Sequence, residues 1–105
     1  MKDEKGTVIY IGERDIFEWT QGVGRDILMP KIFEASNDLI ENELDSKLAV
    51  RVKFLEGNRK LTYDFVVQRK GIDNTLEKVM EWALEEEEYE MCSEIKRLQD
   101  KLYAF

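Results

Sequence analysis

Two runs of alternating residues on either side of a short turn constrain this chain more than any other feature. Leu48, Val50, Val52 and Phe54 alternate with Lys47, Ala49, Arg51 and Lys53; Leu61, Tyr63, Phe65 and Val67 alternate with Thr62, Asp64, Val66 and Gln68. A period of two is the period of a strand, whose successive side chains point to opposite faces. Between the runs, Glu56-Gly57-Asn58-Arg59-Lys60 carries residue types that tolerate positive φ in tight turns. The spacing predicts an antiparallel hairpin over 47–68 with one apolar and one basic face.

The rest of the chain supplies a third strand and a helical layer. Thr7-Val8-Ile9-Tyr10-Ile11 is a β-rich run closed by Gly12, following a polar lead-in over 1–6. Its continuous apolar character predicts a strand over 7–12 covered on both faces or lying next to the sheet centre. Residues 13–44 read as helical, with Asp15 as the cap of a short helix carrying Ile16, Phe17 and Trp19. Two glycines, Gly22 and Gly24, interrupt this region. Pro30 suits the first position of a second helix bearing Ile32, Phe33, Ser36, Leu39 and Ile40 on one face. A continuous helix kinked between Gly22 and Pro30 is the competing reading. Residues 72–104 read as an acidic helical segment in which apolar residues from Ile72 to Leu102 recur at helical spacing, behind Asp73 or Asn74 as cap. The expected class is α+β in the order β-α-(α)-β-β-α. A small antiparallel sheet, made of the N-terminal strand and the hairpin, packs against helices in one domain.

Composition narrows the chemistry. The chain is 105 residues long and 43% hydrophobic, with eleven aromatic residues (five Phe, four Tyr, two Trp), enough for a modest core despite 37% charged residues. No apolar run approaches the roughly 20 residues of a membrane span, and the polar N-terminus has no signal core behind it. A single cysteine, Cys92, makes no internal disulfide, which fits a reducing cytoplasm. Histidine is absent, so a Cys-His or Ser-His-Asp centre cannot be built from this chain. No catalytic residues, metal ligands or cofactor are expected. The Glu85–Glu88 run reads as a solvated face, because calcium loops interleave their ligands with glycine and backbone turns. Gly22-Val23-Gly24-Arg25 reads as a structural turn lacking the Lys-Ser/Thr of a phosphate loop. Were a ligand bound, Trp19, Thr20, Gln21 and Arg25 would edge its pocket.

The net charge of −7 is segregated. Residues 47–70 hold seven bases and two acids, whereas the segments on either side each carry −6. Lys47, Arg51 and Lys53, with Arg69 and Lys70 at the end of the hairpin, form a candidate anion-binding face; neutralising the chain's own acidic flanks is the favoured use of the same charge. Nucleic acid is the less favoured partner, because Tyr63 and Phe65 fall on the apolar side of the sheet and leave no aromatic for base stacking.

The last third carries the most specific pattern. Met80, Ala83, Tyr89-Glu90, Cys92-Ser93 and Ile95-Lys96 stand at the spacings of the UVR motif, the helical hairpin named for the UvrB and UvrC repair proteins, which this stretch resembles. Lys96-Arg97 stands where that family has Arg-Asp, and the turn offers only glutamates, so the segment reads as a hairpin or as one continuous helix. The resemblance covers about 25 residues and implies docking on another protein, without catalysis. Met91, Ile95, Leu98 and Leu102 step by 4, 3 and 4, a narrow seam suited to a partner helix. Tyr89, Met91, Cys92, Ile95, Lys96, Leu98 and Leu102 are the candidate partner-binding residues. The alternative is that the seam is the domain's own core. These features describe a small cytoplasmic interaction module of bacterial or phage type that docks on a partner protein, or on a second copy, through its C-terminal helices. The runner-up is a protein acting at a nucleic-acid site, as a basic-hairpin binder or an acidic mimic of DNA.

Overall fold

The computed structural model describes residues 8–104; the expected lead-in over 1–6, and Thr7, lie outside them. The hairpin forms from β2 (Ser46–Glu56) and β3 (Arg59–Gln68). Glu56 pairs with Arg59, leaving Gly57-Asn58 as the loop, and Gly57 takes φ 65°, as the first loop position of a type II′ turn requires. From there to Val50 opposite Phe65 the pairing is unbroken, and Val50 and Val52 are completely buried.

The alternation fails at one place. Pairing passes from Leu48 opposite Val66 to Val50 opposite Phe65, so Ala49 is an inserted residue, and Ala49 and Val50 are both buried. Such a bulge flips the face of everything beyond it. Leu48, expected inside, falls opposite exposed Val66. Lys47, expected on the basic face, comes opposite buried Val67, and its Nζ reaches Asp38 Oδ2 at 3.0 Å.

The third strand, β1 (Val8–Glu13), pairs with β2, giving the order β1-β2-β3. Its pairing is parallel, Val8 opposite Arg51 and Tyr10 opposite Lys53, so the sheet is mixed and the expected all-antiparallel sheet is corrected. The reason is the connection. Two helices, α1 (Ile16–Gln21) and α2 (Arg25–Glu41), carry the chain back to the end from which β1 started. β1 lies beside the central strand but is not covered on both faces, since Tyr10 is exposed.

The helical layer covers one face of the sheet. Ile16 and Trp19 of α1 and Leu28 of α2 bury Val50, Val52 and Phe54. Asp15 Oδ1 caps α1 by accepting the N–H groups of Phe17 and Glu18 at 2.9 and 3.2 Å. Gly24 is required at the joint, because a Cβ there would stand 2.3 Å from Trp19 Cδ2. Its carbonyl accepts the N–H groups of Ile27 and Leu28, so α2 starts directly after the glycine turn, not at Pro30 as expected. Pro30 lies inside the helix and forgoes one backbone bond. Burial of Leu28 before it and of Ala35, Ser36 and Leu39 after it holds the helix through that gap.

The C-terminal third folds as a helical hairpin of α3 (Ile72–Glu85) and α4 (Tyr89–Leu102). α3 is capped by Gly71 in the left-handed region at φ 88°, and neither Asp73 nor Asn74 serves as the expected side-chain cap. The helix begins earlier because Ile72 is itself a core residue. At the far end the N–H of Glu88 reaches the carbonyl of Ala83 at 2.8 Å and that of Glu87 reaches Leu84 at 3.2 Å, with Glu87 at φ 58°. This is a Schellman termination with glutamate where glycine is usual. α2 ends in the same way, with Glu43 at φ 54° and Leu44 N–H on the Leu39 carbonyl.

The faces of the hairpin are testable. Val52→Asp places a carboxylate under the helices and should lower stability by roughly 3–5 kcal/mol. Arg51→Ala, which removes an exposed ion pair with Asp64, should cost about 1 kcal/mol or less. Urea midpoints of the two variants give the comparison, and equal midpoints would mean the faces are misassigned.

Candidate functional site

The seam of α4 lies inside the domain. Ile95 and Leu98 are 0% exposed and share a cluster with Leu39 of α2 and Leu76, Val79 and Ala83 of α3. Their expected role as docking residues is therefore corrected: in this fold they are the core of the helical layer. Met91, Cys92 and Leu102 are half-buried against the same cluster. The sequence pattern correctly marks a buried stripe but says nothing about which helices receive it. Ala83 is completely buried in the same cluster, whereas Ser93 is exposed on α4.

Polar contacts clasp α2 to the hairpin at both ends. Trp82 donates its indole N–H to Asp26 Oδ1 at 2.9 Å, meeting the need of a buried tryptophan for an acceptor. Beside it Arg25 pairs with Glu85 at 2.8 Å, which raises the Arg25 pKa further above its ordinary value. At the opposite end Glu41 accepts from Lys101 at 2.6 Å and from Arg97 at 2.8 Å. The Lys101 hydrogen bond, then that of Arg97, holds the Glu41 carboxyl below its usual range. Arg97 also bonds Glu94 and Asn37. Position 97, a departure from the UVR pattern, is thus a bridge from α4 to α2.

What remains exposed on the hairpin is its tip. Leu84 is 53% exposed and Tyr89 62% exposed, on either side of the turn that carries the glutamates 85–88. Helix pairing fixes this position. Once Ala83 and Ile95 face inward, Leu84 and Tyr89 fall outside the contact, one on each side of the Schellman turn. Lys96 is exposed on α4. Among the sequence-predicted residues, Tyr89 and Lys96 are therefore accessible, and Leu84 joins them as a residue the sequence reading missed.

The five candidate anion-binding residues do not gather into one patch. Lys47 turns to Asp38 on the helix side of the bulge. Arg51 donates from Nε and Nη2 to the two oxygens of Asp64, at 2.8 and 3.1 Å, which lowers the Asp64 pKa. Arg69 donates to the carbonyls of Leu44 and Leu39, at 2.9 and 3.1 Å, completing the C-terminal end of α2. Lys70 is exposed beyond the end of β3. Lys53 lies over the ring of Tyr10, 5.6 Å from its centroid. Tyr10, 74% exposed on the uncovered face of the sheet, is a second residue that sequence reasoning missed. Parallel pairing to Lys53 brings it there, and nothing in the local sequence of β1 encodes that neighbour.

No helix among the described residues is long and apolar enough to cross a membrane. No protein-family model, curated protein or solved structure matches the chain.

The clasp at Glu41 has a pH signature. Because its folded-state pKa is depressed, the unfolded chain takes up the proton first as pH falls. The stabilisation is then present above the unfolded carboxylate value, about 4.3, and is lost as pH falls through the lower folded value. Glu41→Gln should melt at a lower temperature than the parent at pH 7, and the gap should narrow as the pH falls below the unfolded carboxylate value of about 4.3. Thermal melts across that range check this, and a gap independent of pH would contradict it.

Proposed function

We propose that this chain is a small protein–protein interaction module that docks through the tip of its α3–α4 hairpin. The observation that carries the reading is the exposure of Leu84 and Tyr89 on either side of an acidic turn. Two large apolar side chains, held on a turn whose helices are anchored by a closed core, form a rigid anchor ringed by carboxylates. Such an aromatic anchor within a charged rim is the usual anatomy of a contact hot spot. The complementary partner surface is an apolar pocket bordered by Lys or Arg. The resemblance to UVR hairpins, which dock on other proteins, supports the same reading. The docking element is then the tip and not the seam.

A second reading, contact with single-stranded nucleic acid through the open sheet face, is favoured by one observation. Tyr10 lies exposed beside Lys53, an aromatic platform next to a cation. Against it stand the internal partners of Lys47, Arg51 and Arg69.

The doubly substituted Leu84→Ser/Tyr89→Ser protein should melt within a few degrees of the parent, because both side chains are exposed. As bait in a native lysate it should fail to retain proteins that the parent captures. Identical capture by parent and variant would refute docking through the tip. Retardation of a labelled single strand at low salt, lost in Tyr10→Ala, would favour the second reading.

A further inference from the structure

The two edges of the sheet are not equivalent. β1 ends in a register irregularity between Tyr10 and Glu13, with Gly12 at φ 76°, a feature that blunts an edge against further pairing. β3 has no strand beside its outer edge among the described residues, and from Arg59 to Phe65 its pairing with β2 is regular and free of proline. Its outer edge therefore presents backbone N–H and C=O groups in the spacing that a further strand would use.

An apolar groove runs beside this edge. Met29 and Ile32 of α2, Phe65 and Val67 of β3 and Val79 of α3 line about 180 Å³, with Lys78 at the margin. A strand laid on β3 would turn every second side chain toward the helical layer, where this space lies. The intervening side chains would lie on the open face. There Lys60, opposite Leu55 and in the phase of Arg51 and Lys53, is an exposed cation, and Asp64 is already held by Arg51. The charges thus favour an incoming strand bearing carboxylates. They disfavour a second copy of β3, whose one carboxylate, Asp64, is already held by Arg51.

We infer that the free edge of β3, with the groove between it and helices α2 and α3, captures an extended peptide alternating aliphatic and acidic residues by strand addition. Backbone hydrogen bonds supply the attraction, the groove selects an aliphatic side chain, and Lys60 selects a carboxylate on the open face. This surface is separate from the hairpin tip, so either can fail without the other.

The probe is a fluorescein-labelled decapeptide of alternating valine and glutamate, titrated against the full chain by fluorescence anisotropy. Backbone amide exchange of β3 is followed by NMR. Saturable binding with new protection confined to β3 amides is the expected result. Replacing the peptide's glutamates by lysine should weaken binding at least tenfold, and Lys60→Glu in the protein should weaken it several-fold at an unchanged melting temperature. N-methylation of alternate peptide nitrogens, tried in both phases, should abolish binding in one phase. Absence of binding at millimolar peptide would overturn the inference, as would equal binding of both N-methylated peptides. Concentration-dependent protection of β3 without peptide, with dimer in sedimentation equilibrium, would overturn it in favour of a second copy.

Discussion

The structure depends on the insertion of Ile95 and Leu98 between α2 and α3. A three-stranded sheet with one open face has little apolar surface of its own, and a hairpin by itself is marginal in water. α2 lies across β2 and β3, but it leaves Leu39, Leu76 and Val79 needing a further neighbour. α4 supplies it, and all five side chains are completely buried. Close packing at this point requires Ala83, because a larger side chain on α3 would hold the two helices apart. Everything the hairpin presents outward, above all Leu84 and Tyr89, owes its position to this closure.

Charge segregation along the chain is resolved largely within the fold. Bases of the central hairpin meet acids from their own strand pair and from α2, and Arg97 and Lys101 carry the acidic third back to Glu41. Individually such exposed pairs contribute little, roughly 0–1 kcal/mol each. Their effect here is on orientation. Arg25 with Glu85 at one end of α2, and Glu41 with Arg97 and Lys101 at the other, tie that helix to the α3–α4 hairpin at both ends. Glu86, Glu87 and Glu88 at the tip and Lys60 on β3 are left to give the surface its polarity.

Periodicity carried most of the fold into view. The matched alternation of 47–68, the Asp15 cap and the helical spacing after Ile72 all describe local structure, where residue type and backbone geometry are directly coupled. The departures are of another kind. Ala49 enters β2 without disturbing the visible alternation, so its bulge shows only in the pairing with β3. The direction of β1 is a property of the α1–α2 connection and not of β1 itself. Pro30 is a poor interior residue whose position is overruled by Gly24 and by burial on either side. The α4 stripe announced burial but not its receiver, so core and docking surface looked alike until α2 and α3 were placed beside it. Tyr10 became part of a surface only through its neighbour Lys53.

The most direct test of this account is one substitution in the closed seam. Ile95→Glu places a carboxylate where the fold has no solvent and no cation, so the cooperative melt followed by circular dichroism should be lost or displaced by tens of degrees. Sedimentation velocity on the same protein should show an expanded or aggregated species. A variant that keeps the parent's melt and sedimentation coefficient would mean Ile95 is not enclosed as described. One that keeps its melt and loses only self-association would mean the seam is a docking surface after all.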